Sequence, residues 1–212
     1  MKMNDINSLP HETNPAGLRE RKKRQAQAAI EEAALRLFQQ KGYEQTSIQD
    51  IADAVMMSSR TFFRYFASKE EVLLGFIRTA KSDGIRALQQ VPSTAPPHAA
   101  LRAVFGQLAG RYREQRSGLL TRYEIARQTP SLASLFLYAL MESEPDICDA
   151  LCSHLETATN RNESRFLVAI YMAALRVSIE EWLERGGSGD LVSLLHRRMD
   201  LFSLMPSGNH SP

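Results

Sequence analysis

Thr46–Lys69, TSIQDIADAVMMSSRTFFRYFASK, decides how the rest of the chain is read. Ile48, Ile51, Ala52 and Val55 recur at i, i+3, i+4 and i+7, which gives a first helix one apolar face. Thr46 or Ser47 supplies an oxygen to cap its start. Ser58 and Ser59 offer a second cap, and Arg60–Phe66 has the length of about two helical turns. Phe62 and Phe66, four apart, share the side of that second helix that would root in a core. The opposite side carries Ser59, Arg60, Thr61 and Arg64, with Tyr65 at its edge. A short helix with an aromatic root and a hydroxyl-and-guanidinium face suits the major groove of DNA, where base edges present acceptors and the thymine methyl. The spacing predicts a helix-turn-helix.

Upstream, apolar positions 26, 29/30, 33/34 and 37/38 define an amphipathic helix that Gly42 stops, and Tyr43 then packs back as a core aromatic. Leu18–Arg24 (LRERKKR) holds five basic residues in seven positions. It reads either as a solvated helix start or as a basic arm, with Arg21 and Lys22 on phosphates or in the neighbouring minor groove. Residues 1–17 read as a disordered polar tail. Downstream, Ser68 caps a helix whose first turn carries Glu70 and Glu71, favoured at the positive dipole end. Val72, Leu73, Phe76, Ile77, Ala80, Ile85 and Leu88 carry it on. Gly75 and Gly84 weaken it by about 1 kcal/mol each against Ala; they suit either a moving helix or close packing.

Ala28–Val55 (AAIEEAALRLFQQKGYEQTSIQDIADAV), followed by Ser58–Leu73 (SSRTFFRYFASKEEVL), resembles the DNA-binding domain of the TetR (tetracycline-repressor-like) family of bacterial transcriptional regulators. The resemblance spans Arg21–Leu74 and rests on LF, KGY, TS, IA, RYF and SK at these offsets. It implies a three-helix reader, an effector-binding and dimerisation domain behind it, and a connecting helix that moves when ligand binds. It also implies backbone contacts from Tyr65 and Lys69. Two positions depart from the family pattern. Met56 stands where the family usually has Gly, a substitution that costs on the order of 1 kcal/mol if positive φ is kept. Phe63 stands where many members have Tyr, so a phosphate-contacting hydroxyl is missing.

Roles within the reader follow from reach. Ser47, at a helix start, can hold a phosphate, and Gln49 can point to a base edge. Ser58, Ser59 and Phe63 belong to the same face. Arg60 and Arg64 are candidates for bidentate contacts to guanine, worth about 1–3 kcal/mol of discrimination each; Arg64 alternatively clamps a phosphate. Thr61 can offer its methyl to thymine or its hydroxyl to phosphate. The charge distribution agrees: residues 1–69 hold 11 Lys+Arg against 8 Asp+Glu, and residues 70–212 hold 15 against 16.

The remainder is helical throughout, with no alternation of the β type. Val91–His98 (VPSTAPPH) is a Pro-rich break. Helices are expected from Ala100 to Tyr112, over Gly118–Gln128, and from Leu132 onward, with Ser143-Glu144-Pro145 kinking or splitting the last. Phe166–Leu183 forms a wide apolar stripe, Gly186–Gly189 turns the chain, and Leu191–Phe202 closes it. Both helices read either as covering their own domain or, given the stripe's width, as a two-fold four-helix bundle between protomers. The second reading assigns Tyr171, Leu175, Ser178, Trp182, Leu191, Leu194, Leu195 and Phe202 to a dimer interface. The expected division is a tail at 1–17, a helix-turn-helix domain at 18–67, an all-α effector and dimerisation domain at 68–205, and a tail at 206–212.

Helices from Ala99 to Trp182 can enclose a small-molecule site. Phe105, Tyr112, Tyr123, Phe136, Tyr138, Met141, Phe166 and Tyr171 are its candidate lining, or else ordinary core residues. No dense charge cluster occurs among them, which favours an apolar or amphipathic effector. Ala174–Leu195 (ALRVSIEEWLERGGSGDLVSLL) resembles an actinobacterial-type subgroup that includes acyl-CoA-responsive members, implying a lipid-like effector. At 43% hydrophobic and 24% charged residues and a net charge of +2, the composition is that of an ordinary soluble protein. Neither a membrane span nor a signal peptide is present in the sequence, so a cytoplasmic location is expected. Cys148 and Cys152 read as small hydrophobes, with a metal or redox pair near His154 as the alternative. The five histidines are scattered and form no HExxH or triad spacing, so no enzyme, metal or cofactor is expected. Two regulators remain: a homodimeric, ligand-released repressor on a palindromic DNA operator, or a DNA-binding architectural or partner-recruiting protein without an effector.

Overall fold

The computed structural model describes residues 15–158 and 160–203, and among them the chain forms nine helices and no strand. These are α1 (Pro15–Lys41), α2 (Ile48–Ala54), α3 (Ser59–Phe62), α4 (Lys69–Leu88), α5 (Pro97–Glu114), α6 (Arg116–Gln128), α7 (Pro130–His154), α8 (Arg161–Glu184) and α9 (Leu191–Ser203). The all-α class expected from periodicity is the one observed. Helix α1 begins three residues before the expected edge at 18, and LRERKKR lies within it as an exposed helical stretch, not a separate arm. The expected tail residues 1–14 and 206–212 lie outside the described residues, as does the side chain of Phe202.

Local chemistry sets the reader's joints. Gly42, at φ 86°, ends α1 with its N–H on the Phe38 carbonyl at 3.0 Å. Ser47 and Asp50 form a capping box at the start of α2. Met56 takes φ 54° with its side chain 96% exposed, so the turn keeps the left-handed conformation and accepts the strain. Ser58 caps α3 through the Thr61 N–H. Helix α3 is shorter than the two turns expected. After Phe62 the chain tightens into i→i+3 turns, with Arg64 N–H on Thr61 O and Tyr65 N–H on Phe62 O, before Ser68 caps α4 from an extended backbone.

Two cores result. Ile30, Ala34, Phe38, Tyr43, Ile51, Ala52, Phe62 and Phe66 make the reader's core, joined by Val72 and Leu73 of α4, Ile125 of α6 and Leu132 of α7. Packing therefore crosses the expected division at 67. The second core lies among α4, α5, α7, α8 and α9. Gly84 faces Leu108 and Val104 of α5, which favours the close-packing reading of that glycine. Helix α7 runs unbroken through Pro145, and Ser143 Oγ donates to the Ala139 carbonyl at 2.8 Å one turn earlier.

The dimer residues inferred from the stripe require correction. Tyr171, Leu175, Ser178, Trp182, Leu191, Leu194 and Leu195 are all buried within the protomer. The stripe is wide because α8 packs on α5, α7 and α9 at once. Trp182 Nε1 donates to the Gly189 carbonyl at 3.2 Å, and Ser178 Oγ accepts from Arg198 Nη1 at 3.0 Å. Among the described side chains, the apolar ones that α8 and α9 leave in solvent are a different set: Phe166, Ala173, Val177 and Leu201.

Candidate functional site

Helices α2 and α3 present one polar face. Phe62 and Phe66 are buried beneath it, while Arg60, Phe63 and Arg64 are exposed above. Among the described residues, neither Arg60 nor Arg64 has an ion-pair partner. Ser59 Oγ donates to Gln49 Oε1 at 2.5 Å, and Gln49 Nε2 donates to Asp53 at 2.6 Å, so Gln49 braces α3 against α2. Ser58 and Thr61 hydroxyls lie 3.0 Å apart, and Thr61 and Tyr65 are half-buried. Ser47 is exposed, with its hydroxyl donating to Asp50 at 2.6 Å. Arg21 and Lys22 are exposed on α1.

Lys69 faces inward. Its ammonium donates to the Tyr43 and Thr46 carbonyls at 2.9 and 3.3 Å and stands 4.3 Å from the centre of the Tyr43 ring. The Tyr43 hydroxyl donates to Glu70 at 2.6 Å, and burial together with that carboxylate pushes the phenol well above its ordinary value. At the start of α2, Lys41 donates to Asp50 at 2.7 Å. That bond, with those from the Ser47 hydroxyl and N–H, holds the Asp50 carboxyl well below the usual carboxylate range.

Behind the reader, α4–α8 line a half-open cavity of about 430 Å³. Of the candidate lining residues, Phe105, Tyr112, Tyr123 and Phe136 face this cavity. Tyr138, Met141, Phe166 and Tyr171 do not. Helical phase is the reason: Phe136, Leu137 and Leu140 of α7 face the cavity, while Tyr138 and Met141 are 59% and 63% exposed. Phe166 precedes the cavity-lining stretch of α8, which starts at Met172, and is 66% exposed. Tyr171 packs its ring 6.0 Å from that of Phe105 and donates to the His98 carbonyl. Cys148 is buried and burial pushes its thiol up, as fits a small core hydrophobe.

Sequence reading missed Phe76, Met172, Ile179 and above all Arg122, a buried cation in the cavity wall. The signal for Arg122 lay in its register: it sits between Leu119 and Ile125 at i, i+3, i+6, on the stripe that α6 buries. Among the described residues no three His, Cys, Asp or Glu side chains gather as a metal site, and no helix is long and apolar enough to cross a membrane.

Two family models match the chain: bacterial regulatory proteins of the tetR family over residues 30–75, and the MftR C-terminal domain over residues 95–204. The HTH-type transcriptional regulator TcmR of Streptomyces glaucescens is 32% identical over 197 residues, which span 90% of this chain and 87% of TcmR. The chain belongs to the tetR family. As a tetR-family protein it is a DNA-binding transcriptional regulator and not an enzyme, and α2 and α3 are its helix-turn-helix. Solved tetR-family folds superpose on it. FadR of Thermus thermophilus, solved with lauroyl-CoA, aligns at a TM-score of 0.54 and 24% identity over 88% of this chain and 98% of FadR. FadR of Bacillus subtilis, solved with stearoyl-CoA, aligns at 0.55 and 16% identity over 82% and 96%.

Proposed function

We propose that the chain is a homodimeric repressor, acting in the cytoplasm, that leaves a palindromic operator when a small amphipathic effector enters the α4–α8 cavity. The observation that carries this reading is where the cavity lies. Its walls include α4, α6 and α7, the helices whose Leu73, Ile125 and Leu132 complete the reader's core. An occupant that moves those helices moves α1–α3 with them. At about 430 Å³ the space falls within the usual range of small-molecule sites, about 300–1,000 Å³. Its walls are mainly hydrocarbon and aromatic, in keeping with the acyl-CoA ligands of the two FadR proteins. Such a space favours an effector-responsive regulator over a purely architectural DNA binder.

Base reading falls to Arg60, Arg64 and Thr61, with Ser47, Ser58, Ser59, Tyr65, Arg21 and Lys22 toward the phosphates. Gln49 and Lys69 hold the reader in shape, and Lys69 keeps one N–H for a phosphate. Dimerisation is assigned to the exposed apolar positions Phe166, Ala173, Val177 and Leu201. Two α3 elements then meet half-sites about one helical turn apart, roughly 34–36 Å.

Selection of duplexes from a random pool, followed by titration of lauroyl-CoA into the complex, tests this function. An inverted repeat bound by two protomers, with affinity falling about 5- to 150-fold as ligand saturates, is expected. A single half-site, or a complex indifferent to every amphiphile tried, would overturn it.

A further inference from the structure

Arg122 belongs to two sites at once. Its side chain is 8% exposed and lines the cavity beside Phe76, with the guanidinium carbon 5.0 Å from that ring's centre. Behind the wall it holds three helices. Nε donates to the Leu73 carbonyl of α4 at 3.1 Å, Nη1 to the Gly118 carbonyl of α6 at 3.3 Å, and Nη2 to the Glu31 carboxylate of α1 at 3.0 Å. Two glycines make room for this arrangement. A Cβ on Gly75 would collide with the Glu31 carboxylate, and one on Gly118 would stand 3.0 Å from Arg122 Nη1.

The other cavity-lining charges differ from Arg122. Lys81 pairs with Asp146 at 2.5 Å and Arg176 with Glu180 at 2.7 Å, while Arg127 and Glu184 are exposed. Arg122 is therefore the buried cation of the wall, and two of its five N–H groups remain for a ligand. An anionic head that takes them sets a second carboxylate against the cation that Glu31 relies on. Like charges sharing one buried partner weaken one another's hold on it. Burial raises the Glu31 carboxyl while Arg122 and Arg78 oppose it, so this carboxylate depends on the same cation that a ligand anion would take.

We propose that Arg122 draws the anionic end of an amphipathic ligand into the cavity, and that this anion and Glu31 compete for it, so that binding loosens α1 from α4 and α6. The proposal rests on the cavity being an effector site, and it names the ligand's charge and the residue that reports occupancy to the reader.

Dodecanoate and 1-dodecanol, equal in chain length and different in charge, are the probes. Their binding to the full chain, and their effect on its affinity for a pool-selected duplex, are measured for three proteins: wild type, Glu31→Gln, and Arg122→Gln with Glu31→Gln. The double variant leaves no buried charge unpaired and serves as the fold control. Wild type should prefer dodecanoate by about tenfold or more, and dodecanoate should weaken its DNA binding by about tenfold. The double variant should bind both probes within about twofold of each other, with its dodecanol affinity unchanged. Glu31→Gln should keep the preference and lose most of the effect on DNA. A double variant that still prefers dodecanoate, or a Glu31→Gln protein that still releases DNA as wild type does, overturns the proposal. If both probes bind wild type and release DNA equally, the proposal falls and the effector cavity stands. If neither binds, both fall.

Discussion

The Lys69 ammonium stands 4.3 Å from the centre of the Tyr43 ring and donates to the Tyr43 carbonyl at 2.9 Å. It thereby ties the first turn of α4 to the loop between α1 and α2. A lysine whose only role was to touch a phosphate would leave stability alone when removed. Lys69→Ala should instead lower the stability of the DNA-free protein by about 1–2 kcal/mol, from the lost charged hydrogen bonds and cation–π contact of a half-buried group. Urea unfolding of the DNA-free protein measures it, and an unchanged midpoint would remove the tie.

The Asp50 capping box carries a pH dependence whose sign is set. Its carboxyl is held below the ordinary aspartate value of about 4, so its contribution is present above that value and is lost as pH falls toward the depressed folded value. Wild type should therefore exceed Asp50→Asn in thermal midpoint at neutral pH. The gap should close progressively below about pH 4. A gap that persists or widens in acid would assign the carboxyl no such role.

Gly75→Ala tests the packing of α1 on α4 through a change of sign. Alanine should gain about 1 kcal/mol of helix propensity in α4. Its Cβ also displaces the Glu31 carboxylate from Arg122, and the disturbance of a largely buried pair outweighs that gain. In wild type the substitution should destabilise by about 1 kcal/mol net. In a Glu31→Ala background, with the obstacle gone, the same substitution should stabilise by about 1 kcal/mol. The same sign in both backgrounds would contradict the packing.

The proposed dimer surface gives a prediction that separates interface from core. Val177→Arg, at a 37% exposed position on α8, should leave the fold intact and shift sedimentation toward the monomer. Leu195→Ala, at a fully buried position, should cost about 2–5 kcal/mol of stability. A Val177→Arg protein that stays dimeric would place the interface elsewhere.

The helical class, several helix caps and the phase of the reader were legible because they depend on local chemistry, whereas the end of α3 and the continuity of α7 through Pro145 were not. Gly42, Ser47, Ser58, Ser68 and Pro130 each act on backbone groups within a few residues. Partner choice was not legible. Trp182 and Leu195 sit on a stripe that looks the same whether a neighbouring helix belongs to this protomer or to another. Periodicity reports that a face is buried and not what buries it. Tyr138 failed as a cavity residue because two residues on from Phe136 a helix turns a side chain to the opposite side, and Met141, one residue past Leu140, is turned to the flank and into solvent. Arg122 was overlooked because a charge within an apolar stripe acquires meaning only when Glu31, distant in sequence, is brought to it.

The decisive measurement is the ratio of affinities for a pool-selected operator and a scrambled duplex, at one salt concentration, for wild type and for Arg60→Ala with Arg64→Ala. Base reading by Arg60 and Arg64 requires the ratio to fall by about tenfold or more, while affinity for the scrambled duplex changes far less. If the double variant keeps the wild-type ratio, these two arginines do not read the operator.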